Sequence, residues 1–399
     1  MRSLIFCSLI LAITPLSAQY ETPAPLPASD WLAPHQSKGA SFAVGATADP
    51  AGMMLGFEID SKYGMFLPQS LQMARIRIQE IAALDKLSQI EQEPLFLKGA
   101  GEQLEDTARA TGRFIQAPIK TIKQVPIGLN KFMTNIQARQ TVGTVYGETG
   151  SPAHQAAKRD LAHRLGVDPY SDNPVLQEKM DRVAKNQNRG ALVASIGTLF
   201  VPGAAGVVVN VAEVNDDLNS RLRAKSAPEL QLENYDALTA MECNPDSARN
   251  FLYRPGYTAT NSTSIVGAME SLKSVRNVCG LLDRLPANPG AEGVLYAQTQ
   301  LQMAARYHTT RGKLTRMEMV EDTPIWWTEA GSACIFAPLE YLYWNEGLEK
   351  NVKGLTAAGV PAGATFYIAG QASPSARDQL ALLQFQINEK AMDALWGTQ

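Results

Sequence analysis

From Gly190 to Ala212 the chain runs 23 residues without a charge, GALVASIGTLFVPGAAGVVVNVA. A run of that length either crosses a bilayer or must be buried by the rest of the chain. Pro202-Gly203 sits in its middle and splits it into two short helices. Asn210 adds a polar group. The flanks give no orientation, because Arg182, Lys185 and Arg189 precede the run and Arg221, Arg223 and Lys225 follow it. The preferred reading is a buried helical hairpin in which small residues let two backbones approach closely. A membrane-inserted hairpin is the alternative that length allows.

The stretch before this run is amphipathic. RDLAHRLGV, starting at Arg159, puts Leu161, Leu165 and Val167 on one side of a helix that ends near Gly166. Asn173 caps the next helix with Pro174 in its first position, a strong start signal. Leu176, Met180, Val183 and Ala184 face one way on it. Asp168, Asp172 and Asn173 between the two lack the alternating oxygen ligands and closing glutamate of a calcium loop, so turn formation and capping account for them.

The 399 residues are 45% hydrophobic and 19% charged, which is a globular composition with room for a sizeable core. A net charge of −3 gives no basic footprint for nucleic acid. Residues 1–18 read as a cleaved signal peptide: Arg2 starts it, Leu4 to Ile13 is the apolar run, Pro15 breaks it, and Ser17-Ala18 precedes the cut. The expectation is an exported protein, periplasmic or secreted. Cys7 leaves with that peptide. Of Cys243, Cys279 and Cys334, the first two are the expected disulfide pair in an oxidising compartment, with three small buried thiols as the alternative. Spacings of 36 and 55 are not a zinc pattern.

The periodicities predict an α+β protein: a mainly helical body preceded by a small β-hairpin and followed by a small C-terminal α/β-type domain. Residues 19–38, with Pro23, Pro25, Pro27 and Pro34, read as an extended tether. In 39–106, Met53–Ile59 and Tyr63–Leu67 flank a hairpin loop, and Ser70 caps a helix with Leu71, Ala74, Ile78, Ile81 and Leu84 on one face. The helix stops by Pro94. The central region, 107–225, holds the amphipathic and apolar stretches. Residues 226–312 break into short helices over 230–241, 246–252, 263–275, 277–285 and 292–307. Within 313–399 the pattern predicts strands at 313–320, 325–328, 333–336, 365–369 and 385–387, with helices at 341–348, 352–358 and from Ser373-Pro374 to about Leu383.

Thr107 to Gly147 contains no acidic residue, while Arg109, Arg113, Lys120, Lys123, Lys131 and Arg139 are basic. Ile115, Ile119, Ile122, Leu129, Met133 and Ile136 recur there at helical spacing, interrupted by Pro118 and Pro126. A basic stripe with an apolar face suits an anionic membrane surface, with Lys120, Lys123, Lys131 and Arg139 as the contacts. A helix packed on its own domain with a solvated basic face is the other reading, and the same periodicity serves it.

YGMFLPQSLQMARIRIQEIAAL, RDLAHRLGVDPYSDNPVLQEKMDRVA, FLYRPGYTATNSTSIVGAMESL and GQASPSARDQL resemble, in that order, segments of an uncharacterised family of secreted bacterial proteins. The resemblance implies export and supports these boundaries; it implies no activity, cofactor or site residue.

No catalytic signature stands out. There is no G-x-S-x-G elbow, P-loop or dinucleotide fingerprint. His154 and His163, nine apart, fall on opposite sides of a helix and make no metal pair. His308 near a helix end reads as a favourable cation. Trp326, Trp327, Tyr341 and Trp344 read either as a ligand face or as aromatic packing in a small core. No catalytic, cofactor-binding or metal-ligating residue is assigned. The functional expectation is an exported, non-enzymatic scaffold or adaptor, partnered by an anionic membrane surface or another envelope protein. A periplasmic enzyme, such as a hydrolase with a site assembled from scattered residues, and a small-ligand or glycan binder using the C-terminal aromatics are the alternatives.

Overall fold

The computed structural model describes residues 20–92, 150–187, 215–287 and 289–397. The expected signal peptide, the basic stripe with Lys120, Lys123, Lys131 and Arg139, and the run Gly190–Ala212 lie outside them. No helix among the described residues is long and apolar enough to cross a membrane. The chain is α+β, as its periodicities predict.

Residues 20–38 do not hang free. Glu21 N–H donates to the Trp344 carbonyl at 2.8 Å, and its carboxylate accepts from Trp344 N–H and Ser373 Oγ, each at 2.6 Å. Strand β1 (Leu26–Pro27) then pairs with β3 (Thr47–Ala48), and Ala28 and Leu32 are buried. The segment is extended as far as Pro27, then coils in a 3-10 turn at Ala28–Asp30 and one helical turn at Pro34–Ser37, and the apolar residues between its prolines dock it.

A small antiparallel sheet follows, of β2 (Phe42–Val44), β4 (Ile59–Ser61) and β5 (Gly64–Phe66). Its hairpin turns on Lys62-Tyr63, one residue tighter than the sequence pattern suggested, and Gly64 takes a positive φ of 113° that favours glycine. Ser70 accepts from Met73 N–H at 3.1 Å and opens helix α1 (Leu71–Gln92).

Helix α2 (Pro152–Leu165) begins seven residues before Arg159, because Ser151-Pro152 supplies a cap and a first-turn proline. It ends at Gly166 in the left-handed region. Asn173 caps α3 (Pro174–Gln187), accepting from Val175 and Leu176 N–H. Buried Leu84, Leu87, Leu161, Leu165, Leu176 and Met180 lock α1, α2 and α3 into one core.

The next helices are α4 (Asn215–Ala224), α5 (Ala227–Ala240), α6 (Pro245–Leu252), α7 (Ala259–Ser271) and α8 (Gly290–Thr310). Each of α5 and α7 starts earlier than its apolar period, at the capping Ser226 and Thr258. Only Val278–Leu281 of the expected 277–285 helix coils, and it does so as a 3-10 turn. Cys243 and Cys279 are bonded, tying the end of α5 to that turn.

The C-terminal sheet holds β6 (Leu314–Val320), β7 (Thr323–Thr328), β8 (Ala333–Ala337), β10 (Thr365–Ile368) and β12 (Gln386–Asn388), in the order β12-β10-β8-β7-β6. β6, β7 and β8 form an antiparallel meander; β8, β10 and β12 are parallel. The short strands β9 (Tyr341–Leu342) and β11 (Gln371–Ala372) pair in parallel as a separate two-stranded sheet. Helices α9 (Glu346–Ala357), α10 (Pro374–Leu382) and α11 (Ala391–Trp396) complete the region.

The helix expected over Tyr341–Leu348 starts only at Glu346, and Tyr341–Asn345 is extended. Leu342 and Trp344 are buried while Tyr341 and Tyr343 are half-exposed, a period of two, and Asn345 delays the helix by capping it. The sheet is buried on both faces. Met317, Trp326, Cys334 and Phe336 pack toward α7 and α8; Ile325, Ile335, Phe366 and Ile368 pack against α9 and α10. Strand β8 is buried at every position, the mark of a strand between two helical layers.

Candidate functional site

The carboxyl ends of parallel strands β8, β10 and β12 point to one place. The chain leaves them through Pro338-Leu339-Glu340, Ala369-Gly370-Gln371 and Glu389-Lys390. Open sheets with parallel strands place ligand crevices at such ends. A cleft of about 930 Å³ lies there, walled also by the start of α1, the start of α8, and the segment around Trp31.

Glu340 forms its floor. Its carboxylate accepts from Leu55 N–H at 2.8 Å and from Leu71 N–H at 2.9 Å. Its own N–H donates to Met53 O. The first turn of α1 thus rests on a carboxylate, which its unpaired N–H groups and dipole favour. Gly370 permits this crossing: a Cβ there would overlap the Glu340 carbonyl oxygen.

Glu292 anchors the same turn from α8, accepting from Gln69 N–H at 2.7 Å and Ser70 Oγ at 2.6 Å. Burial pushes Glu340 up to about 8 and Glu292 up to about 7, against the opposing pull of these donors. Both carboxylates are engaged in holding α1, so neither is a free acid or base.

Arg75 is different. It lies half-buried in the cleft wall and forms no ion pair among the described residues. Its one hydrogen bond among the described residues runs from Nη2 to Trp31 O at 3.4 Å, and its Nε has no acceptor among them. Burial lowers its pKa, and the fields of Glu340 and Asp393 raise it only in part. Trp31, Phe42, Tyr296 and Trp396 supply aromatic surface beside it. Thr299 donates to Gln72 at 3.0 Å and fixes the facing helices.

A second polar cluster lies behind α1. Glu80, nearly inaccessible, accepts from Arg77 at 2.8 Å, from Asn173 Nδ2 at 2.9 Å and from Ser171 Oγ. Arg77 also pairs with Asp172 at 2.7 Å. Asp168 accepts from Thr260 Oγ1 at 2.5 Å and Tyr170 N–H at 2.9 Å, and burial pushes it up to about 6. Every carboxylate here clamps the 167–173 turn between α1 and α7, which is a structural task.

The C-terminal aromatics do not gather into one ligand face. Neighbours on a strand point to opposite sides, so Trp326 enters the core under α8 while Trp327 emerges on the other face. Trp344 is buried at 1% exposure. Trp327 is covered by the Arg316 guanidinium, 4.3 Å from its ring centre, and donates to Glu318. Tyr341 stays half-exposed beside Tyr343.

The histidines are scattered. His154 is buried, with Nε2 3.3 Å from Asp181, and His163 is exposed on the opposite side of α2. His308 is not a helix-end cation: Leu314 N–H donates to its Nδ1 at 3.0 Å, and burial with Lys313 nearby lowers its pKa. No group of three or more His, Cys, Asp or Glu among the described residues could hold a metal ion.

Sequence reading missed the cleft. Its walls come from residues 31, 75, 296, 340 and 396, which no local pattern joins. The strand, helix, strand order after Ala333 was the available signal, since parallel strands imply a crevice at their carboxyl ends. No family model, curated protein or solved structure matches the chain.

Proposed function

We propose that this is an exported binding protein, and that the cleft at the carboxyl ends of β8, β10 and β12 is its binding site. One observation carries the reading: the cleft combines aromatic walls and an arginine that has no ion pair among the described residues with two glutamates, Glu340 and Glu292, that are already engaged by backbone N–H groups. Such a site can hold and orient a ligand, and the carboxyl, amine and imidazole groups left on its lining, Asp30, His35, Lys390 and Asp393, are solvent-exposed rather than set into its walls. The volume suits a small molecule, since ligand pockets run from about 300 to 1,000 Å³. This keeps the non-enzymatic role expected from sequence and moves ligand contact from the C-terminal aromatics to Trp31, Tyr296 and Trp396. Export rests on residues 1–18 and on the resemblance to secreted proteins.

The test uses N-phenyl-1-naphthylamine, an uncharged probe that fluoresces in apolar sites. The full mature chain is expected to bind it saturably at one site. Trp396→Ala is expected to weaken binding several-fold and Trp327→Ala to leave it unchanged. Absence of saturable binding, or loss with Trp327→Ala alone, would overturn the reading.

A further inference from the structure

Resting on that reading, we propose that the cleft takes an organic anion: an oxyanion head, as in a carboxylate, on an apolar body of ring size. The head would meet Arg75, and the body would lie against Trp31, Tyr296 and Trp396. A guanidinium set into a protein wall loses hydration, and it normally recovers that loss in a paired carboxylate. Arg77, two residues along the same helix, does so twice, with Glu80 and Asp172. Arg75 has no such partner among the described residues, and its Nε is without an acceptor there.

The two glutamates that line the cleft with it do not fill the role. Glu340 and Glu292 spend their oxygens on Leu55, Leu71, Gln69 and Ser70. Asp393, the other carboxylate acting on Arg75, is exposed and reaches it only through its field. The planar guanidinium fork matches an oxyanion in two parallel hydrogen bonds, which a lysine cannot reproduce. Lys390, the other cation on the cleft lining, is solvent-exposed.

The experiment compares 8-anilinonaphthalene-1-sulfonate with N-phenyl-1-naphthylamine, the same ring system without the sulfonate. In the full mature chain the anion is expected to bind at least about tenfold more tightly, the range of one charge-assisted bidentate contact. Arg75→Met is expected to abolish the preference while leaving the neutral probe's affinity in place. Arg75→Lys is expected to keep part of it, and Lys390→Met all of it. The preference is expected to survive moderate salt, because a half-buried charge is screened less than an exposed one.

Equal affinity for the two probes in the wild type would overturn the anion assignment and leave the cleft standing as a neutral site. A preference that persists in Arg75→Met, or vanishes in Lys390→Met, would place the anion elsewhere and overturn it too. Binding of neither probe would overturn the binding reading itself. Should Arg75→Met fail to fold, the wild-type ratio and the Arg75→Lys variant still decide.

Discussion

Glu80 shows how a single side chain holds separate segments together. It is 1% exposed and gathers Arg77, Ser171 and Asn173. Glu80→Ala would leave Arg77 with Asp172 as its one remaining ion-pair partner among the described residues and would take the acceptor from Ser171 and buried Asn173, so a loss of about 2 kcal/mol is expected in urea unfolding. Gly370 acts by what it lacks. Gly370→Ala is expected to push the Glu340 backbone off its position, lower Tm, and weaken probe binding in the cleft, whereas Gly280→Ala, where a Cβ meets open space, is expected to do neither. The Cys243–Cys279 bond closes a loop across 36 residues. Chain entropy gives such a loop about 3–4 kcal/mol, so Cys279→Ser is expected to lower stability by that order in non-reducing buffer.

Elements differ in how plainly the sequence displayed them. α1, α3 and α10 each carried a cap, a first-turn proline or both, plus an apolar period, and their starts lie where those signals are. α2 starts before Arg159 because the cap signal lies at Ser151-Pro152, ahead of the apolar period, and the strand at Tyr341 is hidden because four aromatic and apolar residues in a row mask a period of two. The sheet strands were legible as strands; their order was not, because pairing joins residues far apart in the chain. The cleft was illegible for the same reason. The basic stripe, outside the described residues, keeps its own test: charge reversal at Lys120, Lys123 and Lys131 is expected to weaken binding to anionic liposomes, and unchanged binding would remove the membrane reading.

At the scale of the molecule, three carboxyl groups withdrawn wholly or partly from water shape the pH dependence. Burial raises Asp168 from 3.8 to about 6, Glu292 from 4.5 to about 7, and Glu340 from 4.5 to about 8. Between those limits the folded chain holds protons that the unfolded chain has released, so stability falls as pH rises through the window. Asp85, Asp160 and Glu389, paired with Lys62, Arg164 and Arg377, are shifted down. Their stabilisation is present above the ordinary carboxylate range and is lost as pH falls through their folded values. Tm is therefore expected to peak at about pH 5 and to decline toward pH 9, with Glu340→Gln flattening the decline. A Tm higher at pH 8 than at pH 5.5 would contradict this assignment.

Glu21 has its partners at Trp344 and Ser373. During synthesis it is made more than three hundred residues before either of them exists. That contact cannot form while the chain is still being extruded, and closing so long a loop is slow on the scale of local folding. Residues around Glu21 therefore stay undocked until residues 344 and 373 exist, while β1, a few residues further on, can already pair with β3. Protection of the residues around Glu21 from exopeptidase or amide exchange would mark the moment the carboxyl end has arrived.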